Sequence, residues 1–197
     1  MANKVFISFR FSDGNAYKEK LEEEFNKLDY IINKSENENR SDMSDDTIKK
    51  YLYEKLADTS LTIVILTSEA MKYERVYGGE IDDWLYDELR YSLDDRENNR
   101  TNAVIALYTS LDLIGYKIGN DDTIHLGNWD NLVRKNICNV KDGYKMNEQP
   151  GIYNSVEDCY ASLISFEEFL EEPKKYIDSA LEKRDRLNQF DLTKRMD

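Results

Sequence analysis

"LTIVILT", residues 61–67, reads as the strongest strand in the chain. It has no alternation of apolar and polar side chains. A strand wetted on one face alternates, whereas one covered on both faces does not. The run therefore predicts an inner strand of a parallel sheet with helices on either side. "KVFISF" (4–9) and "AVIALY" (103–108) predict two more buried strands, and "YII" (30–32) a short one. Between them the apolar spacing becomes helical. Tyr17, Leu21, Phe25 and Leu28 predict an amphipathic helix over 15–29. Ile48, Leu52 and Leu56 mark a second, with Ser44 as its cap and Asp45 and Asp46 in its first turn. "IDDWLYDELRYSL" (81–93) predicts a third, with Ile81, Leu85, Leu89 and Leu93 toward the core. Strand and helix in turn imply an α/β fold with a flavodoxin-like parallel sheet, strand order 2-1-3-4-5.

The pattern weakens after residue 110. Residues 111–151 are rich in Gly, Asn and Asp and lack a clear period. A structureless loop of that length is uncommon in a compact domain, so an insertion with its own hairpin or short helix is expected, "TIHL" (123–126) supplying a strand. "GIYNSVEDCYASLI" (151–164) returns to the core. Ser165 and Glu168 have the spacing of a capping box, opening a terminal helix that Pro173 breaks or restarts. The expected organisation is one domain over 1–165, with the insertion at about 111–151, and a helical extension over 166–197.

Composition narrows the partners. Forty acidic residues against 27 basic give a charge of −13, which repels nucleic acid and anionic membrane unless a basic patch intervenes. No such patch is visible: Lys49-Lys50 and Lys174-Lys175 read as solvated helix pairs. "MANKVFISF" has no signal-peptide pattern, and no run approaches the length of a membrane span. Cys138 and Cys159 lack CxxC spacing and read as reduced thiols, so a cytoplasmic protein is expected.

Several chemistries lack their motifs. No GxGxxG follows the first strand, and no GxxxxGK[ST] occurs anywhere. One histidine and two scattered cysteines give no zinc spacing, so no metal is expected. His125 has no local nucleophile beside it and reads as a surface or structural residue. A phospho-accepting receiver needs acidic residues at the ends of its first and third strands. Here those ends read Phe9-Arg10 and Thr67-Ser68.

In an open α/β sheet a ligand sits beyond the carboxyl ends of the strands, where the strand order reverses. In order 2-1-3-4-5 that point lies between the first and third strands. The first ends in "FRFSD" (9–13). The third ends in "TSEAMKYERVYGG" (67–79), which leads to the helix carrying Trp84 and Glu88. Glu88 lies roughly 100° around that helix from Leu89, so it should border the core at a half-exposed position without entering it.

With these segments quoted, the sequence resembles a known family. "KVFISFRFSD", "DTSLTIVILTS" and "DDWLYDELRYS" are similar to the TIR-like domains of bacteria, above all the ThsB proteins of the Thoeris anti-phage defence system. Trp84 and Glu88 match the WxxxE pattern of catalytic TIR domains, whose glutamate is essential for breaking down NAD+. The resemblance covers residues 1–110 and is thin afterwards. It implies that Glu88 is catalytic and that NAD+ is a substrate, with no bound cofactor. Phe9, Phe11 and Trp84 could stack on nicotinamide or adenine, and Arg10 could hold a phosphate. For all four a plain structural reading competes, packing for Trp84 and the core for Phe9 and Phe11. The family also implies a cyclic ADP-ribose isomer as product, and a separate ThsA-like effector that this signal activates. In TIR domains the region matching the 33–47 loop mediates self-assembly and gates the pocket. Here it is acidic and polar, and matches no pattern.

Two readings follow. One is an NAD+-consuming enzyme that makes a signal. The other is a non-catalytic adaptor that binds protein partners, itself included. Glu88 separates them, since a pure adaptor has no reason to keep it.

Overall fold

The computed structural model describes residues 3–28, 31–34, 45–72, 83–95, 100–117, 124–146 and 148–196. Strands β1 (Asn3–Ser8), β2 (Ile31–Asn33), β3 (Leu61–Leu66) and β4 (Ala103–Tyr108) alternate with helices α1 (Asn15–Phe25), α2 (Asp45–Ala57) and α3 (Trp84–Leu93). A short helix, α4 (Leu111–Ile114), leads into a hairpin of β5 (Gly115–Lys117) and β6 (Ile124–Leu126), and α5 (Leu132–Lys135) follows. The chain then enters β7 (Ala161–Ser165), α6 (Phe166–Glu171) and α7 (Pro173–Asp185). The main sheet has five strands, all parallel, in the order β2-β1-β3-β4-β7. Counted within the sheet alone, this is the expected 2-1-3-4-5.

All six residues of β3 are buried, and the pleat divides them between two cores. Leu61, Ile63 and Ile65 face one cluster with Leu21 and Phe25 of α1, Phe169 of α6, and Ile177 and Ala180 of α7. Val64 and Leu66 face another with Leu85, Leu89 and Leu93 of α3 and Leu132 and Val133 of α5. β4 divides likewise, Ala103, Ile105 and Leu107 on one side and Val104 and Ala106 on the other. The unbroken apolar run is thus a period-two pattern read out on both faces. On β1, Phe6 joins a small third cluster with Leu52 and Leu56 of α2.

Helix ends sharpen the expected boundaries. α3 begins at Trp84, three residues later than Ile81. Asp83 is extended (φ −151°) and its side chain accepts from the Tyr86 N–H, so it is the cap rather than a helical residue. Ser165 caps α6 through the Glu168 N–H, and Pro173 is the first residue of α7, restarting the helix as expected. α1 stops at Phe25, short of Leu28. The Ser44 cap, the Ile81 contact, the Gly78-Gly79 turn and most of the acidic 33–47 loop lie outside the described residues. The insertion contains both a hairpin and short helices. No helix among the described residues is long and apolar enough to cross a membrane.

Val64 is fully buried at the centre of this arrangement. Val64→Asp puts an unpaired charge between β3 and α3, and no soluble folded protein is expected. Soluble yield and circular dichroism of the variant check this; normal expression with native helicity would contradict it.

Candidate active site

Glu88 is buried, only 8% exposed, rather than half-exposed at the border of the core. The reason lies on β1. Strand alternation puts Ser8 on the same sheet face as Phe6, the face that α3 covers. Ser8 is wholly buried, and its Oγ donates to Glu88 Oε2 at 2.5 Å. One turn farther along α3, Ser92 Oγ donates to the Glu88 carbonyl at 2.7 Å and meets Thr62 Oγ1 on β3 at 2.7 Å. The helix is thus pinned to two adjacent strands by hydroxyls. A carboxylate that an isolated helix would leave wet is held against the sheet.

The β1–α1 turn closes the same end of the sheet. The Gly14 N–H donates to the Arg10 carbonyl at 2.7 Å. A Cβ on Gly14 would stand 2.7 Å from that same oxygen, so the turn requires glycine. This fold-back aims Arg10 across the switch point, where its guanidinium pairs with buried Asp83, the cap of α3. Nη2 of Arg10 also reaches the Lys72 carbonyl at 3.4 Å. Its Nε is buried with no acceptor among the described residues. Asp13 ties the same turn to the end of β3. It accepts from Thr67 Oγ1 at 2.7 Å, Ser68 Oγ at 3.1 Å and the Glu69 N–H at 3.0 Å. Burial pushes the Asp13 carboxyl up, but the hydrogen bonds from Thr67, Glu69 and Ser68, with Arg10 nearby, outweigh it and leave it below the ordinary carboxylate value.

The aromatic candidates separate. Phe9 is buried among the α1 and α6 side chains, so its environment is that of packing. Phe11 stands at the rim, 40% exposed, its ring centroid 4.7 Å from that of Phe9. Trp84 is half-buried and packs on Phe6, Leu52 and Leu56, joining α3 to α2 and β1. Arg10, proposed from the sequence as a phosphate ligand, is engaged by a carboxylate. His125 is exposed on the hairpin, stacked on Tyr116.

Sequence reasoning missed Ser8, Asp13 and Asp83. For Ser8 the available signal was a lone hydroxyl inside an apolar strand on the Phe6 face. For Asp83 it was an acidic residue just ahead of a helical apolar stripe. Asp13 carried no local signal, because its partners lie more than fifty residues away.

The arrangement is a buried carboxylate with a hydroxyl donor, beside an ion pair, at the carboxyl end of the sheet where strand order reverses. The family model described as "Thoeris protein ThsB, TIR-like domain" matches residues 6–110. The match runs from within β1 to just past β4 and includes Ser8, Arg10, Asp13, Asp83, Trp84 and Glu88. It covers more than half of the chain. With this sheet order and this match, the chain belongs to the TIR-like domain family of the Thoeris protein ThsB and is a TIR domain of that defence system.

Proposed function

We propose that this TIR domain cleaves the nicotinamide–ribose bond of NAD+ and releases a cyclic ADP-ribose-type signal that activates a separate defence effector. The observation that carries the reading is the Glu88 carboxylate, buried at the switch point and held by Ser8 at 2.5 Å. In NAD+ the departing ring is already cationic. When the bond from ribose C1′ to the ring nitrogen breaks, the electron pair goes to nitrogen and nicotinamide leaves neutral. No general acid is needed. Positive charge develops on the sugar, and a fixed carboxylate below it stabilises that charge or captures it covalently, as in glycosidases. A nucleophile within the ADP-ribose part then closes the ring; water in its place gives open ADP-ribose.

Other residues have supporting roles on this reading. Ser8 fixes the rotamer of Glu88, so the charge is in place before the barrier is reached. Phe11, exposed at the rim, supplies a ring face for a base. The unsatisfied Nε of Arg10 is a donor that a phosphate oxygen would satisfy, while Asp83 holds the guanidinium in place. Trp84 acts through packing.

Glu88→Gln tests the reading. Gln keeps the size of Glu, and its amide oxygen still accepts from Ser8, so the fold should survive. The charge opposite the developing cation is lost, and nicotinamide release should fall about a hundredfold or more, the equivalent of ~2.7 kcal/mol. Asp87, which pairs with Arg90 at 3.2 Å, lies about 100° around the helix, so Asp87→Asn should be nearly silent. The assay is purified protein with NAD+, and in parallel lysate of phage-infected cells, followed by chromatography of free nicotinamide. Wild-type release by Glu88→Gln would make the domain an adaptor.

Ser8→Ala removes a donor to a buried carboxylate. It should cost about 1.5–3 kcal/mol of stability. Turnover should drop by about tenfold with little change in KM, since orientation and not substrate contact is lost. Steady-state kinetics with a denaturant melt check both.

Trp84→Ala should behave as a packing variant, losing about 3 kcal/mol. Turnover per folded molecule should change less than in Glu88→Gln. A stable protein without turnover would instead make Trp84 a wall of the substrate pocket.

A further inference from the structure

Far from Glu88 in sequence, the segment after α5 holds a second chemically distinctive cluster. Cys138 has φ 55°, the one non-glycine residue of positive φ among the described residues. An L-residue enters that region at a cost of roughly 1–2 kcal/mol, so the surroundings must enforce it. They do: the Cys138 N–H donates to Cys159 Sγ at 3.1 Å. Asn139, next in the chain, accepts from the Tyr160 N–H at 2.9 Å. The Cys138 sulfur is three bonds from its own backbone nitrogen, so the two sulfurs are neighbours. Both cysteines are free.

The two sulfurs differ in access. Cys138 is half-exposed and lines an open cleft of about 590 Å³ with Trp129, Arg134 and Asn139. Cys159 is fully buried behind it, its thiol 3.5 Å from the Asn154 carbonyl. One cysteine thus lines an open cleft with an arginine, and the sulfur of the other lies buried against its backbone.

We propose that Cys138 and Cys159 form a peroxide-reactive thiol pair, with Cys138 the attacking sulfur and Cys159 the resolving one. The neighbouring Cys159 thiol, with Arg134 nearby, holds the Cys138 thiol below its ordinary value despite burial. The adjacent Cys138 and burial push Cys159 well up, so it keeps its proton until needed. In the first step the Cys138 thiolate attacks one oxygen of a hydroperoxide. The O–O bond breaks, the sulfur becomes a sulfenic acid, and the other oxygen leaves as alkoxide or hydroxide and takes a solvent proton. In the second step Cys159 gives up its proton and its sulfur attacks the sulfenic sulfur. The S–O bond breaks, water leaves with that proton, and a disulfide forms. Two thiols lose two hydrogens in all, and the peroxide is reduced to alcohol, or water, plus water.

The test uses the full chain, fully reduced and then titrated with hydrogen peroxide, followed by intact-mass analysis and peptide mapping. The expected product is a Cys138–Cys159 cross-link within one chain, lighter by two hydrogens and reversed by dithiothreitol. Cys159→Ser should stop at a sulfenic acid on Cys138, captured by dimedone. Cys138→Ser should slow peroxide consumption by at least about tenfold. The wild-type arm stands whether or not the variants fold. If both thiols still react with maleimide after denaturation while methionines have already gained oxygen, the proposal is wrong. Cross-links found only between chains, or dimedone captured on Cys159, would overturn it as well.

Discussion

The contact between Ser8 and Glu88 is the one on which the site depends, because it fixes how α3 lies on the sheet. An apolar stripe such as Leu85, Leu89 and Leu93 favours burial but chooses weakly among neighbouring registers, since dispersion and burial are not directional. Buried polar groups do choose. Each register that leaves one unpaired is penalised by about 1–3 kcal/mol. Here the pairs form a line. Ser8 meets Glu88, Ser92 meets Thr62, Asn102 donates to Thr62 Oγ1 at 3.2 Å and to Thr59 Oγ1 at 2.8 Å, and Tyr160 donates to the Asn102 carbonyl at 2.6 Å. The line crosses β1, β3, the entry to β4 and the entry to β7. Sliding α3 by one residue would break both of its bonds in this line, Ser8 to Glu88 and Ser92 to Thr62, so Glu88 is held in register with β1 and β3.

The outer side of α3 is held by a different device. After α7 the chain doubles back along residues 136–141, with Val140 bridging Phe190 and Lys141 N–H donating to the Gln189 carbonyl at 2.9 Å. The Asn136 side chain brackets Thr193 through both its N–H and its carbonyl, and the Met196 N–H donates to Tyr86 Oη at 3.2 Å. Tyr86 lies on α3, two residues before Glu88. The helix is therefore clamped between hydroxyls on the sheet and a C-terminal strap, and the segment beyond residue 110 contributes to the geometry of a site built by the segment before it.

The layers of the fold were legible because they rest on patterns within single segments. The unbroken apolar run of β3 has one explanation, cover on both faces, and the Ser165 cap and the Pro173 restart act within a turn of themselves. Pairings across the chain were not legible. The helical angle placed Glu88 correctly relative to Leu89, yet could not know that a hydroxyl on β1 would draw it inside. Arg10 looked like an open cation, but its partner, Asp83, lies in a distant segment. Lys183 is the extreme case: it reads as one charge on a charged terminal helix, yet it is 1% exposed. Its amine is held by the Val156 and Cys159 carbonyls and the Ser162 hydroxyl, and burial pushes its pKa down to about 8. No period in a sequence reports three acceptors converging from another segment.

The proposed chemistry and this construction fit together for an electrostatic reason. A carboxylate in water faces a screened, mobile environment, and its attraction for a developing cation is correspondingly weak. Moving it behind Ser8 and under α3 lowers the local dielectric and fixes its direction, so the same charge acts more strongly on a cationic sugar. Burial carries a desolvation cost, which a neutral hydroxyl donor offsets without cancelling the charge, as a lysine or arginine at the same place would. Arg10, a cation at the switch point, is directed instead to Asp83. Arginine and carboxylate neutralise each other there, so the Arg10 charge is balanced by Asp83 and not by the carboxylate on which the proposed chemistry rests.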